Sequence, residues 1–377
     1  MRASLTDSPT KMPIQESIVE ENVVLIPMQV YVNIAPQTYH YYAKGEHLLR
    51  KYIHQMESDK ARNVQTQGGR IHDAACLPYI LDGLNAAGAN IAYFPNTSSL
   101  LNSLSDLLKS PTLCARLQGI LAQDGATSIG HHLYCDIYVD RGRASIIMVD
   151  SFKPSGMDQA LFEHVDSFPN RLIVSYWDLR TQNSSANCLI FALSHAKKAI
   201  DEKDFLLERH KMQINNAVIS AKPVWSINLR EANKSYWDFL LKRLKRMPTP
   251  EDRNKYVMHY PLQNTGMLCV IKEGGEVFPE RFFKHTESKK TLEKLRQFQP
   301  NLKLETKIVN KKNQTIFQRW NSYKTTRVVF KRIGNSTNYE VHKLTYSRSI
   351  EEKRLSFLRG ALENVIKMQR NLKTDRH

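Results

Sequence analysis

Apolar positions in the first third of the chain recur every three to four residues. Leu48, Leu49, Tyr52, Ile53 and Met56 fall on one face of a helix expected from about Lys44 to Arg62. A second helix is expected over Asp73–Leu84 and a short strand at Ala92–Phe94. Helical segments at Ser98–Leu108 and Thr112–Ala122 then follow, divided by Pro111. From His131 the period falls to two. In HHLYCDIYVDRGRASIIMVD, the runs His132–Val139 and Ala144–Val149 flank Asp140-Arg141-Gly142-Arg143, which is a β-hairpin pattern. A helix-like Met157–Val165 and a buried strand Leu172–Tyr176 come next. Helical spacing returns at Cys188 with Leu189, Phe191, Ala192, Ala196 and Ile200. Trp237, Phe239, Leu240 and Leu244 mark helices in Trp225–Met247. Basic, β-prone segments from about Leu302 lead into a long helix, Ile350–Leu372.

The hairpin juxtaposes two titratable groups. A two-residue turn at Arg141-Gly142 pairs residues whose numbers sum to 283, so Asp150 stands opposite Leu133. His131, two places from Leu133, becomes the diagonal neighbour of Asp150, roughly 5–8 Å away between Cβ atoms. By parity His132 points to the other side, and Asp136 is out of step with His131 and reads as structural. An imidazole and a carboxylate so placed can hydrogen-bond, which fixes the ring tautomer.

Cys188 follows the polar run Gln182–Asn187 and opens a helix that Asn187 or Ser185 can cap. In the first turn, unpaired N–H groups and the helix dipole favour a thiolate, so the residue is placed to be a nucleophile. A small buried cysteine with no chemistry fits the same local pattern.

Composition narrows the classes. Hydrophobic residues make up 41% and aromatics 9% of 377 residues, and no apolar run is long enough to span a bilayer. The N-terminal stretch is polar, lacks the apolar centre of a secretory signal and does not begin Met-Gly, so disorder is expected there and no membrane anchor. Five cysteines without short paired spacing argue against a disulfide framework or a metal site. A net charge of +17 predicts affinity for polyanions. The basic residues are dispersed along helices without an aromatic recognition motif. A phosphate-rich small ligand, a lipid head group or an acidic partner therefore fits as well as nucleic acid.

Ordered as His, acid, Gln and Cys, these residues have recognisable spacings. The acid lies nineteen positions after His131 and Gln182 six before Cys188. Together with Asp136 and the SIIMVD strand, Gln182-x-Ser184-Ser185-x-x-Cys188-x-Ile190-Phe191, Ala196-Lys197-Lys198, the block Phe283–Lys290, and Val309–Asn313 with Arg319, the chain resembles the YopJ/AvrRxv family of effector acetyltransferases. More distantly it resembles the SUMO proteases of the same clan. The match covers roughly residues 44 to 320. Asp150 stands where Glu is common, and Leu189 replaces a frequent glycine.

The resemblance implies an α+β fold: a CE-clan, cysteine-protease-like core of mixed β-sheet flanked by helices, with a regulatory lobe from the N- and C-terminal segments. The expected division is an export tail at 1–25, a helical regulatory part at 26–120, the catalytic core at 121–300 and a basic regulatory part at 301–377. Cys188 would take acetyl from acetyl-coenzyme A with His131 as base, Asp150 as its orienter and Gln182 with the Cys188 N–H holding the oxyanion. Acetyl would then pass to Ser, Thr or Lys of host proteins, with kinases of immune signalling as candidate targets. The family implies autoacetylation at Lys284, with Lys289 as the weaker candidate. It also implies inositol hexakisphosphate as activator, bound by Arg319 and Lys312 and more weakly by Arg50, Arg70, Lys331 and Arg332. Type III export into the host cytoplasm is implied, and no nucleic-acid partner. A deubiquitinase or SUMO protease with the same triad, and a non-catalytic polyanion-binding adaptor, are the alternatives.

Overall fold

The computed structural model describes residues 24–25, 38–62, 64, 69–122, 130–151, 172–179, 181–184, 186–219, 278–298, 302–332 and 339–374. Its centre is a mixed sheet. The strands are β1 (Val24–Leu25), β2 (Ile91–Phe94), β3 (Cys114–Ala122), β4 (His132–Asp140), β5 (Arg143–Asp150) and β6 (Leu172–Asp178). β1 and β2 run parallel to β3 along one edge, β3–β4–β5 are antiparallel, and β6 is parallel to β5.

The hairpin has the expected register. Tyr134 pairs with Val149 and Asp140 with Arg143. Arg141 and Gly142 both have positive φ (48° and 80°), the geometry of a tight hairpin turn whose twist matches the strands. The helices α1 (Tyr39–Ala61), α2 (Gly69–Ala86), α3 (Thr97–Leu108) and α4 (Cys188–Asp201) match the periodicity. Three helices that the sequence reading did not mark follow, α5 (Lys203–Ile219), α6 (Lys289–Phe298) and α7 (Ile316–Ser322), and the expected long helix α8 (Ser349–Thr374) closes the described chain. β7 (Lys324–Arg332) and β8 (Tyr339–Ser347) form a separate antiparallel pair.

One expectation fails. Thr112–Ala122 contains the strand β3, not a helix. Its residues from Ala115 to Ala122 are all buried because strands cover both edges and apolar clusters both faces, so no alternation survives to distinguish strand from helix. Gly119 reflects the close fit: a Cβ there would lie 2.3 Å from the Phe94 ring. β2 and β3 thus join the sheet that carries the hairpin, and within the stretch read as a tail Val24–Leu25 pairs with β3. Residues 1–23, Met157–Val165, Trp225–Met247 and Cys269 lie outside the described residues.

Alternation along β4 separates two cores. Leu133, Cys135, Ile137 and Val139 pack with Leu100, Leu101 and Leu104 of α3. Tyr134 joins Ile147 and Val149 of β5 in the larger core under α4, α1, α2 and α8. From Cys188 to Ala196 every residue of α4 is buried, as expected for a helix enclosed by a sheet on one side and other helices on the other. Among the described residues, no helix is long and apolar enough to cross a membrane.

Candidate active site

Three side chains far apart in sequence meet where β4 begins, β5 ends and α4 starts. His131 lies just before β4, and its Nε2 is 2.8 Å from both carboxylate oxygens of Asp150, the last residue of β5. Asp150 is fully buried and the His131 side chain one-tenth exposed. Cys188, at the first position of α4 and 2% exposed, has Sγ 3.9 Å from the Gly130 carbonyl and interacts with the His131 imidazole. With Nε2 on Asp150, Nδ1 is the ring nitrogen left for the thiol.

Burial opposes charge on both partners, and the pairing overcomes it. Burial pushes the Cys188 thiol up, but the close His131 and His132 imidazoles bring it down to about 6. Burial pushes His131 down, but the Asp150 carboxylate and the sulfur raise it to about 10. The site therefore favours a thiolate–imidazolium pair near neutrality. Such a pair can attack a carbonyl carbon and return a proton to the leaving group.

His132 was not part of the sequence expectation. Parity sends it away from Asp150, and α4 packs on that other face of the sheet, so its ring also lies beside Cys188 and stacks on Tyr93 with centroids 6.2 Å apart.

Gln182 is buried beside the site. Its Oε1 accepts from Ser151 Oγ at 2.8 Å, its backbone N–H donates to the Ser151 carbonyl at 2.7 Å, and Nε2 donates to the Ser184 carbonyl. One of its two amide hydrogens is thereby used, and among the described residues the other meets no acceptor. Asn187 occupies the N-cap position of α4, yet its side chain makes no cap bond. It contacts Glu287, Ser184 and Arg354 instead. Ser185, the other cap candidate, lies outside the described residues.

Asp136 is structural, as its parity indicates. Fully buried, it accepts from Arg116 Nε at 2.8 Å and Nη2 at 2.6 Å, from the Tyr134 hydroxyl, and contacts His210 Nε2 at 3.0 Å. Burial raises its carboxyl, but the guanidinium holds it well below the usual range.

A second group of cations gathers on the far part of α4. Lys198, Lys284, His285, Arg319 and Lys353 repel one another electrostatically, and among the described residues none forms a salt bridge with a carboxylate. Lys198 Nζ donates to the Phe282 carbonyl at 3.3 Å, and Arg319 Nη2 lies 3.5 Å from His285 Nδ1. Burial and neighbouring positive charge depress all three lysines, Lys353 to about 7. Among the described residues, buried Arg319 Nε and His285 Nε2 have no partner.

Of the residues expected to hold inositol hexakisphosphate, Arg319 alone belongs to this cluster among the described side chains. Lys312 is exposed on the loop before α7, and Arg50 is exposed on α1 and paired with Glu46 at 2.8 Å. Arg70 is half-buried on α2, and the Lys331 and Arg332 side chains lie outside the described residues. Lys284 sits half-buried in the cluster, whereas Lys289 is exposed and pairs with Glu293 at 3.2 Å. Lys198 had a legible signal: it shares a helical face with buried Phe191, Ser194 and His195.

The fold has known counterparts. Three solved structures align over most of the chain. A single-residue deletion variant of AvrA, with IP6 and CoA, has a TM-score of 0.54 and 18% identity, covering 84% of this chain and 98% of that one. HopZ1a with IP6 has 0.54 and 15%, covering 87% and 99%. HopZ1a with IP6 and CoA has 0.56 and 17%, covering 86% and 98%. These likenesses show the fold, an α+β core of mixed sheet flanked by helices. By sequence, no curated protein matches. The model of the family described as YopJ serine/threonine acetyltransferase matches residues 49–360, and the chain belongs to that family.

Proposed function

We propose that this chain transfers acetyl from acetyl-coenzyme A to hydroxyl or amine groups of host proteins through a thioester on Cys188. The observation that carries the reading is the Cys188–His131–Asp150 arrangement, with its lowered thiol and raised imidazole. In the first half-reaction the Cys188 thiolate attacks the thioester carbonyl. The tetrahedral oxyanion is held by the Gln182 amide and the Cys188 N–H, which lies in the first turn of α4 where N–H groups lack helical acceptors. Collapse breaks the bond to the coenzyme sulfur, and His131 gives that sulfur its proton. In the second half-reaction His131 takes the proton of the incoming hydroxyl or amine, and the Cys188 thiolate leaves. Asp150 keeps the ring oriented throughout.

Inositol hexakisphosphate is the proposed activator. The cations around Lys198, Lys284, Arg319 and Lys353, with two orphaned buried nitrogens, suit a multiply phosphorylated anion. This reading moves the ligand inward from Lys312 and Arg50. Lys284 remains the proposed autoacetylated lysine, because burial and nearby charge favour its neutral, nucleophilic amine. The helices α1, α2 and α8 form the proposed regulatory lobe, and delivery into the host cytoplasm by type III export completes the reading.

Intact-mass analysis with labelled acetyl-coenzyme A, with and without the inositol phosphate, tests it. One acetyl group on the wild-type chain and none on Cys188→Ala is expected. Cleavage of ubiquitin or SUMO conjugates without acetyl uptake would establish the protease instead. A biological effect unchanged in Cys188→Ala would establish the adaptor.

A further inference from the structure

The loop between β6 and α4, Thr181 to Asn187, carries Gln182 and leads into Cys188, yet its described residues form no helix or strand. Its shape depends on two distant residues. Glu287, 1% exposed, accepts from the backbone N–H groups of Asn183 and Ser184, from Ser184 Oγ at 3.0 Å and from Asn187 Nδ2 at 2.5 Å. Its own backbone N–H donates to the Thr181 carbonyl at 2.8 Å. Four donors converge on two oxygens, a pattern that suits an ionised carboxylate and works against the burial that pushes the Glu287 carboxyl up.

Arg354 of α8 holds the other end. Its Nη2 donates to Asn187 Oδ1 at 2.6 Å and to the Ala186 carbonyl at 3.2 Å. The guanidinium is aimed by Asp73 of α2, which accepts from Nε at 2.9 Å and from Nη2 at 2.9 Å. Asp73 is itself bonded by the Tyr52 hydroxyl of α1 at 3.0 Å. Asn187 thus bridges the two clamps with opposite ends of one amide, which explains why it gives up the capping bond.

We propose that Glu287 and Arg354 are positioning residues for acyl transfer: they hold the Thr181–Asn187 loop so that Gln182 and the Cys188 N–H meet the developing oxyanion. The proposal rests on the acyl-transfer reading of the site and adds the two residues that assemble it. Neither residue touches His131 or Asp150 in the described contacts, so the thiolate–imidazolium pair does not depend on them. The chemical consequence is a split. Acylation of Cys188 passes through an oxyanion and requires the loop, whereas alkylation at sulfur forms no oxyanion and does not.

Purified full-length chain is given p-nitrophenyl acetate, with nitrophenolate release read against Cys188→Ala. In parallel, iodoacetamide alkylation of Cys188 is followed by peptide mass across a pH series. In Glu287→Gln an amide N–H faces donors, and in Arg354→Lys the reach to Asn187 is lost while a charge on Asp73 is kept. Each variant should slow acylation, Glu287→Gln on the order of 10²-fold, while leaving alkylation and its pH profile unchanged. If both rates fall together, or acylation does not fall, the positioning role is wrong. Thermal melts identify a variant that fails to fold, and the other variant then decides. Wild-type chain that accepts acetyl from the nitrophenyl ester but never from acetyl-coenzyme A would defeat the proposed function while leaving the split, and hence the positioning role, intact.

Discussion

His131 meets Asp150 through one ring nitrogen, with Nε2 2.8 Å from each carboxylate oxygen, which makes Nδ1 the nitrogen that can serve the Cys188 thiol. Because the carboxylate is fully buried, little water competes for that contact. The His131 imidazole and the Cys188 thiol shift one another and titrate as a coupled pair.

Its pH dependence has a definite sign. Cys188 loses its proton above about 6 instead of the ordinary 9, and His131 keeps its proton up to about 10 instead of 6.5. Alkylation of Cys188 by iodoacetamide should rise through about pH 6 and hold a plateau until His131 deprotonates near 10. A single rise centred near the ordinary thiol value would show that no ion pair exists.

In the proposed mechanism His131 carries the proton of both half-reactions, so His131→Ala should lower single-turnover acetylation by on the order of 10²–10⁴-fold. Asp150→Ala leaves the imidazole in place and should be less severe, with the upper limit of the alkylation plateau moved to lower pH. Equal loss in the two variants would mean that Asp150 does more than orient the ring.

Arg116 and Asp136 form a buried ion pair away from the reacting sulfur, with side chains 5% and 0% exposed. Asp136→Ala strands the guanidinium and should cost about 3–5 kcal/mol in urea denaturation. The pair also makes stability fall in acid. The folded carboxyl is held below its unfolded value, so its contribution is present above the unfolded pKa and lost as pH drops toward the folded one. A cost below about 1 kcal/mol would place this pair with solvent-exposed contacts.

Polyanion binding at the cationic cluster should take up protons. Burial and mutual repulsion hold Lys198, Lys284, Lys353 and His285 below their ordinary values, and a bound hexaphosphate reverses both the repulsion and the preference for neutral amines. Affinity should increase as pH falls toward about 7, where Lys353 gains its proton. Titration calorimetry in two buffers of different ionisation enthalpy measures the uptake, and Lys353→Ala should reduce it. Equal heats in the two buffers would remove the cluster from the binding site.

The linear pattern alone determined the hairpin, its two-residue turn and its register, because a period of two and a turn that needs positive φ at Arg141 and Gly142 are local properties. It also determined that α4 starts at Cys188, where a polar run gives way to helical spacing. Tertiary structure decided what depends on which surfaces meet. β3 is a strand because both its faces and both its edges are covered, a condition absent from its own residues. His132 reaches the thiol because α4 packs on the face opposite the one shared by Leu133 and α3. Asn187 abandons its cap because Glu287 and Arg354, a hundred or more positions away, offer stronger partners. Local periodicity records how a segment buries itself, whereas a charge or an amide commits to whichever complementary group the folded chain brings within hydrogen-bonding reach.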